Sequence, residues 1–460
     1  MNIVSPQYIV FIILISFIYW LSKNEYRKYV LLLASIIFCA LQGLWQFVYT
    51  VSYLLISFLL AKYFTHNRVL YAIGIILSLV PLLLSKYLRF LQISIVGISY
   101  MTFRVISYIV ETKTKRINNV DLIDYVIYIL FFPSLLCGPI EKSTSFIEQL
   151  NENKKENWNN VIRGFLLISY GFLVKYIAVE RMLPIINYLY DNYSLINSYV
   201  IVGVIMYSFY IYFEFSSYSN IAYGTAVIFG FEITNNFKQP YLSKSNKEFW
   251  NRWHISLNRW FIDYIYIPLG GNKKGKLRKY VNIIVVFVVS AIWHGTGANY
   301  LVWGILNALI QIISDIFNKV KLKSLSKCFN RKLKYLVNVL TTFLLISFTW
   351  IFFSNSEIAK AFSIVKSIFI KSNMSFNKFI SLLFEEQIIS YLGIALIALI
   401  FVIVVVKDIL AEQNIDIFSK IANSNIVIRY LVLFAIIWFV ILFGFYGDGI
   451  DHSKFIYLDY

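Results

Sequence analysis

The chain has 460 residues, of which 59% are hydrophobic and only 14% charged, with a formal net charge of +18 at pH 7. An average soluble domain is roughly 25% charged, so a chain this poor in charge cannot cover its apolar surface in water and belongs in lipid. The positive balance would suggest nucleic acid in a soluble protein. No aromatic-basic nucleic-acid motif accompanies it here, and in a membrane protein Lys and Arg gather in cytoplasmic loops and set orientation.

Met1 to Ser22 carries no charged side chain. It lacks the basic start and small-residue cleavage site of a signal peptide and is long enough for a membrane helix, which needs about 20 apolar residues. Further spans are expected at about Tyr29–Leu41, Leu44–Ala61 and Val69–Leu84, with basic residues at Lys23, Arg27, Lys28, Lys62 and Arg68 between them. That alternation puts the N-terminus outside and the basic loops in the cytoplasm. Phe90 to Val110 continues apolar around Arg104, a costly residue at membrane depth that needs a partner, a cavity or the interface. Val126 to Leu136 is short and runs into Pro133 and Cys137-Gly138-Pro139, which marks a broken or re-entrant piece.

Glu141 to Asn160 mixes both charge signs and reads as a loop with an amphipathic helix. Val161–Val179 is a span carrying Lys175, Glu180–Ser198 a polar, Tyr-rich link, and Tyr199–Phe215 and Ile221–Phe231 spans or half-spans. Glu232 to Lys279 is polar and net basic and is placed at the cytoplasmic face. Tyr335–Phe353, Ile388–Val406 and Ile426–Phe445 are the later spans, for about eleven or twelve membrane segments in an all-α bundle forming one domain over 1–460. Cys39, Cys137 and Cys328 match no metal or redox spacing, so no disulfide and no metal are expected.

Phe249 to Gly297 organises the rest. Between Lys279 and Asp315 no residue is charged unless His294 is, and both flanks are basic, so the segment should enter the membrane and return. Its first apolar arm, Val281–Ile292, is short, which puts His294 within membrane depth at a turn of Gly295 and Gly297, with Asn299 as a hydrogen-bond partner. Polar groups at that depth are expensive and tend to be functional, and a buried neutral imidazole is a suitable general base. No Ser-His-Asp spacing, Gly-x-Ser-x-Gly elbow or metal motif supplies an internal nucleophile. The economical reaction is direct attack by a substrate hydroxyl on an activated acyl group. His254 falls on an expected helix, Phe249–Asp263, whose Trp250, His254, Leu257 and Phe261 share one face. There it either belongs to an interfacial aromatic face or, with Asn251, lines a cytoplasmic entry. The basic, Gly-rich run Gly270–Lys279 either meets an anionic donor or serves only as a topology signal.

These residues resemble a family, the membrane-bound O-acyltransferases, and within it the bacterial alginate-acetylase-like branch. The resemblance is strongest over 210–304. It rests on Tyr212-Phe213-Glu214-Phe215-Ser216-Ser217-Tyr218-Ser219-Asn220, Glu248-Phe249-Trp250-Asn251-Arg252-Trp253-His254, Asp263 to Asn272, and Trp293-His294-Gly295. Three positions depart from the branch's common pattern, which has Asp and Gly where this chain has Glu214 and Ser217, and an acid at Asn220. The resemblance implies a ring of membrane helices around a central funnel or pore in the bacterial cell membrane. It implies His294 as the catalytic histidine and His254 as the second functional position; Asn251, Trp250, Trp253, Trp293 and Asn299 are expected along the substrate or donor path. It further implies an acyl, chiefly acetyl, thioester donor (acetyl-CoA or an acyl carrier) rather than a bound cofactor. The acceptor would be an extracytoplasmic polysaccharide, reached with an esterase-like acyltransferase partner. D-alanyl transfer to teichoic acid and membrane transport are the competing readings. The first is disfavoured by the Pro268–Asn272 turn, and the second by the lack of paired broken helices.

Overall fold

The computed structural model describes all residues except 88–96, 118–119, 322–329 and 447–460. Cys328, His452, Arg89 and the tail from Gly447 lie outside the described residues. The described chain is all-α. It opens with α1 (Pro6–Leu21), α2 (Asn24–Ala40), α3 (Leu44–Phe64), α4 (Arg68–Tyr87) and α5 (Ile98–Lys113), then α6 (Leu122–Leu130) and α7 (Ser143–Leu150). α8 (Trp158–Leu173) passes through a π-helical turn at Val174–Val179 into α9 (Glu180–Asp191), and the short α10 (Tyr193–Ile196) leads to α11 (Val200–Ile228). Two short helices, α12 (Asn246–Arg252) and α13 (Ile255–Phe261), precede α14 (Gly275–His294), α15 (Ala298–Lys321) and α16 (Arg331–Ser354). The last are α17 (Ile358–Ile368), α18 (Phe376–Glu385), α19 (Tyr391–Glu412), α20 (Ile417–Ala422) and α21 (Ile426–Phe443). Among the described residues nine helices are long and apolar enough to cross a membrane, and Pro6–Leu21 and Leu122–Ser134 are shorter apolar pieces. The protein is a multi-pass membrane protein.

The centre of the bundle is the crossing of α8 and α11. It is close because glycine lines it. A Cβ on Gly224 would meet the Gly164 carbonyl at 2.6 Å, and one on Gly171 would meet the Ser217 carbonyl at 2.7 Å. Small residues at a helix crossing let backbones approach and gain dispersion contacts that lipid cannot supply. Just beyond the crossing, the wide turn carries Lys175 inward. Its ammonium lies 2.9 Å from Glu214 Oε2 on α11 and 2.9 Å from Glu180 Oε1, with all three side chains buried. The polar link expected from Glu180 to Ser198 is therefore mostly helix. Glu180 is drawn inward by Lys175 rather than presented to water. Likewise the two half-spans expected at 199–231 are one 29-residue helix, α11, because Glu214 finds a cation and no longer forces a break.

The broken segment after α6 is held by Arg104. Its guanidinium donates to the carbonyls of Tyr128, Ile129, Ser134 and Pro139 and to the Ser134 hydroxyl, at 2.7 to 3.3 Å. Carbonyls freed where a helix ends inside a membrane need such a donor, and a five-donor fork can serve several at once. The segment then reaches the site: the Ile140 N–H donates to the Ser256 hydroxyl on α13 at 3.0 Å.

Candidate active site

The expected single helix over Phe249–Asp263 is broken in two. Ser245 caps α12 by accepting from the Glu248 N–H, and the helix stops at Arg252. Trp253 is extended and His254 adopts the left-handed conformation, φ 43°, ψ 56°. A non-glycine residue there costs roughly 1–2 kcal/mol. The neighbouring 236–238 segment offsets it by taking the backbone groups that a continuous helix would have satisfied. Ile255 N–H donates to the Asn236 carbonyl (3.0 Å), Lys238 N–H to the Arg252 carbonyl (3.0 Å), and Ser256 N–H and Oγ to Asn236 Oδ1 (3.2 and 2.7 Å). The break turns His254 inward, 3% exposed, with Phe215 edge-on to its ring at 4.7 Å. Burial pushes its imidazole down to about 3, so the ring is neutral.

α14 and α15 form the returning hairpin. α14 is 20 residues, longer than the 12-residue apolar arm read from the sequence, because Gly275 to Tyr280 already belong to the helix. At 1.5 Å per residue it spans about 30 Å. His294 is its last residue, 4% exposed and ringed edge-to-face by Trp303 and Phe353, each at 5.1 Å. Two glycines make this end possible. A Cβ on Gly304 would meet the Phe287 carbonyl at 2.7 Å, and one on Gly295 would meet the Tyr300 ring at 2.3 Å. The carbonyls beside His294 are held from α4: Lys86 donates to the Trp293 carbonyl, and Tyr87 Oη to that of Ile292 at 3.1 Å.

Both histidines border one cavity of about 380 Å³. One stripe of α14, Lys279, Ile283, Phe287, Ser290 and His294, forms its long wall. The fifteen helical rises from Lys279 to His294 make that wall about 22 Å long. The mouth is polar and reaches exposed Lys247, Asn251 and Asn272, while the inner end is aromatic, with Trp250, Trp253, Trp303 and Trp350.

Of the residues singled out in the sequence, His294, His254, Asn251, Trp250 and Trp253 meet at this cavity. Trp293 and Asn299 are not part of its wall. Trp293 packs against Phe103 (5.4 Å) on the other side of α14, and buried Asn299 donates to the Phe352 carbonyl (3.2 Å) on α16, not to His294. Sequence reasoning missed Trp303, Trp350 and Ser290, which sit in apolar spans where nothing but their polar atoms sets them apart. Among the described residues no three His, Cys, Asp or Glu side chains are placed together to hold a metal ion.

Fold and site together define a polytopic helical membrane protein with a buried histidine pair at the end of a long cavity. The family model for the membrane-bound O-acyltransferase family matches residues 82–357, and the chain belongs to that family. It is 30% identical over 356 residues to a probable alginate O-acetylase of Pseudomonas fluorescens, a match covering 73% of this chain and 69% of that protein. It is 28% identical to a peptidoglycan O-acetyltransferase of Helicobacter pylori, covering 57% and 49% of the two chains. To a teichoic acid D-alanyltransferase of Bacillus subtilis it is 32% identical, covering 61% and 74%. Against the probable alginate O-acetylases of Pseudomonas syringae and Pseudomonas aeruginosa the match spans only about half of the relative, 49% and 51%.

Proposed function

We propose that the chain transfers an acyl group, chiefly acetyl, from a thioester donor to a hydroxyl of an extracytoplasmic polysaccharide. The observation that carries this reading is the cavity that runs about 22 Å along α14 from exposed Lys247 and Asn272 to His294. It suits a slender donor arm of the phosphopantetheine kind, common to coenzyme A and acyl carriers, with its phosphate end among the mouth lysines and its thioester at the imidazole. The mouth lies in the basic region assigned to the cytoplasm, and His294 stands at the far end of a helix about as long as the hydrocarbon is thick. The acceptor then comes from the outer side, presented by an esterase-like acyltransferase partner.

His294 serves as general base, taking the acceptor hydroxyl's proton as the oxygen attacks the thioester carbon. Neutral His254 and Asn251 line the donor's approach. Support for acetyl over D-alanyl comes from the acetyl-transferring names among the relatives. The 32% identity to the D-alanyltransferase keeps the second reading in play. The test is His294→Ala in proteoliposomes supplied with acetyl-CoA or a D-alanyl carrier and an oligosaccharide acceptor. Transfer should fall by about 10²–10⁴ at equal folded protein, as for loss of a general base. Undiminished transfer refutes the assignment, and transfer from the D-alanyl donor alone selects the second reading.

A further inference from the structure

Two indoles away from the cavity have acceptors in the protein. Trp20 Nε1 donates to the Ile228 carbonyl at 3.1 Å, and Trp260 Nε1 to the Phe103 carbonyl and the Ser107 hydroxyl, both at 3.0 Å. Three of the four indoles around the cavity differ from these. Nε1 of Trp250, Trp303 and Trp350 is buried in each case and has no acceptor among the described residues. Unmet buried donors are costly, and native folds keep them rare unless the site uses them. Three around one space, beside a histidine, form a pattern that packing alone does not account for.

The geometry points to Trp303 and Trp350, with Trp250 beside them, as the hydrogen-bond donors that receive the acyl oxygen when the thioester is attacked. Trp303 and Trp350 are each 1% exposed and lie nearly parallel, 6.0 Å apart at 17°. Trp303 is edge-to-face with His294 at 5.1 Å. Neither ring is free to turn elsewhere: Trp350 is packed against Trp253 and Phe353, both at 5.2 Å, and Trp303 against Phe353 at 5.2 Å. Indole N–H is donor-only. It cannot take the acceptor's proton from His294, and it carries no charge that would need a counter-ion in a dry wall. Donors fixed beforehand around a developing oxyanion need no reorganisation when it forms.

This rests on the acyl-transfer reading. The acceptor oxygen forms a bond to the thioester carbon as its proton passes to His294. The carbonyl π pair moves onto oxygen, where the indoles hold it. When that pair returns, the C–S bond breaks and the thiolate takes the proton back from His294. Ester and thiol are the products, and nothing is oxidised or reduced.

The test replaces Trp303, and separately Trp350, with 3-benzothienylalanine, which keeps the ring's outline and puts sulfur where the N–H was. In proteoliposomes, with acetyl-CoA as donor, kcat should fall about 100-fold, the range seen for loss of one oxyanion donor. KM for the donor should stay within about twofold, as for an interaction made only in the transition state, and the melting temperature should not change. Unchanged kcat overturns the proposal, as does a loss of kcat that tracks a loss of melting temperature. His294→Ala run in parallel separates the cases. If it is inactive while the isosteres are not, only the indole role fails; if it is active, the underlying reading fails.

Discussion

Replacing Arg104 with Met should damage both stability and the site. Arg104 is 1% exposed on α5 and makes five hydrogen bonds to the 128–139 segment. Bonds from a charged donor contribute about 1.5–3 kcal/mol each. The desolvation of the guanidinium offsets much of that sum, and removing one partner of such a buried set typically costs about 3–5 kcal/mol. Unfolding entropy of about 2.1 cal/mol/K per residue gives roughly 1 kcal/mol/K for this chain, so the melting temperature should drop by about 3–5 °C. Arg104→Lys keeps the charge but not the fork and should fall between the two. The same segment reaches α13 through Ile140 and Ser256, so acyl transfer should fall with stability even though Arg104 touches no part of the cavity. The assay is a thermal scan of the detergent-purified protein beside acyl transfer in proteoliposomes. If Arg104→Met melts within about 1 °C of the parent, less than a third of the expected shift, the guanidinium is not what holds the broken segment.

A pH effect follows from His254. Its folded value of about 3 lies below the unfolded value of about 6.5. Between those values the unfolded chain binds a proton that the folded chain does not. Stability is therefore full above about pH 6.5 and declines as pH is lowered, by up to about 1.4 kcal/mol per unit from this group. His254→Asn should flatten the slope of melting temperature against pH between 7 and 5, and an identical slope in both proteins would contradict a neutral buried ring. Gly304→Val should push α14 away from α15, since even a Cβ there meets the Phe287 carbonyl at 2.7 Å. Overpacking of this kind costs about 1–3 kcal/mol, and transfer should fall as His294 is displaced; a variant with parental melting and rate would show that the hairpin has slack.

The parts of the site legible in the sequence were those with a polar residue in an apolar run. His294 was found that way, flanked by Gly295 inside a stretch without charge, and the short Trp-His-Gly and Trp-Asn motifs carried the family. What stayed hidden depended on distant partners. The break before His254 involves no glycine or proline, so local propensity reads one helix; it exists because Asn236 takes over the backbone N–H groups of Ile255 and Ser256, nineteen and twenty residues away. Trp303 and Trp350 look like ordinary apolar positions on α15 and α16, and only their unmet donors distinguish them. Lys175 falls inside one expected span and Glu214 near the end of another, and both fit long helices once their 2.9 Å pairing is seen.

The slenderness of the cavity has a kinetic consequence. Some 380 Å³ drawn out along about 22 Å leaves room for a single file. With the carrier-borne thioester proposed as donor, a spent arm must back out through the mouth before the next loaded one can enter. The free thiol should therefore compete directly with its own acylated form, and the ratio of the two in the cell, more than their total, would set the pace of the enzyme.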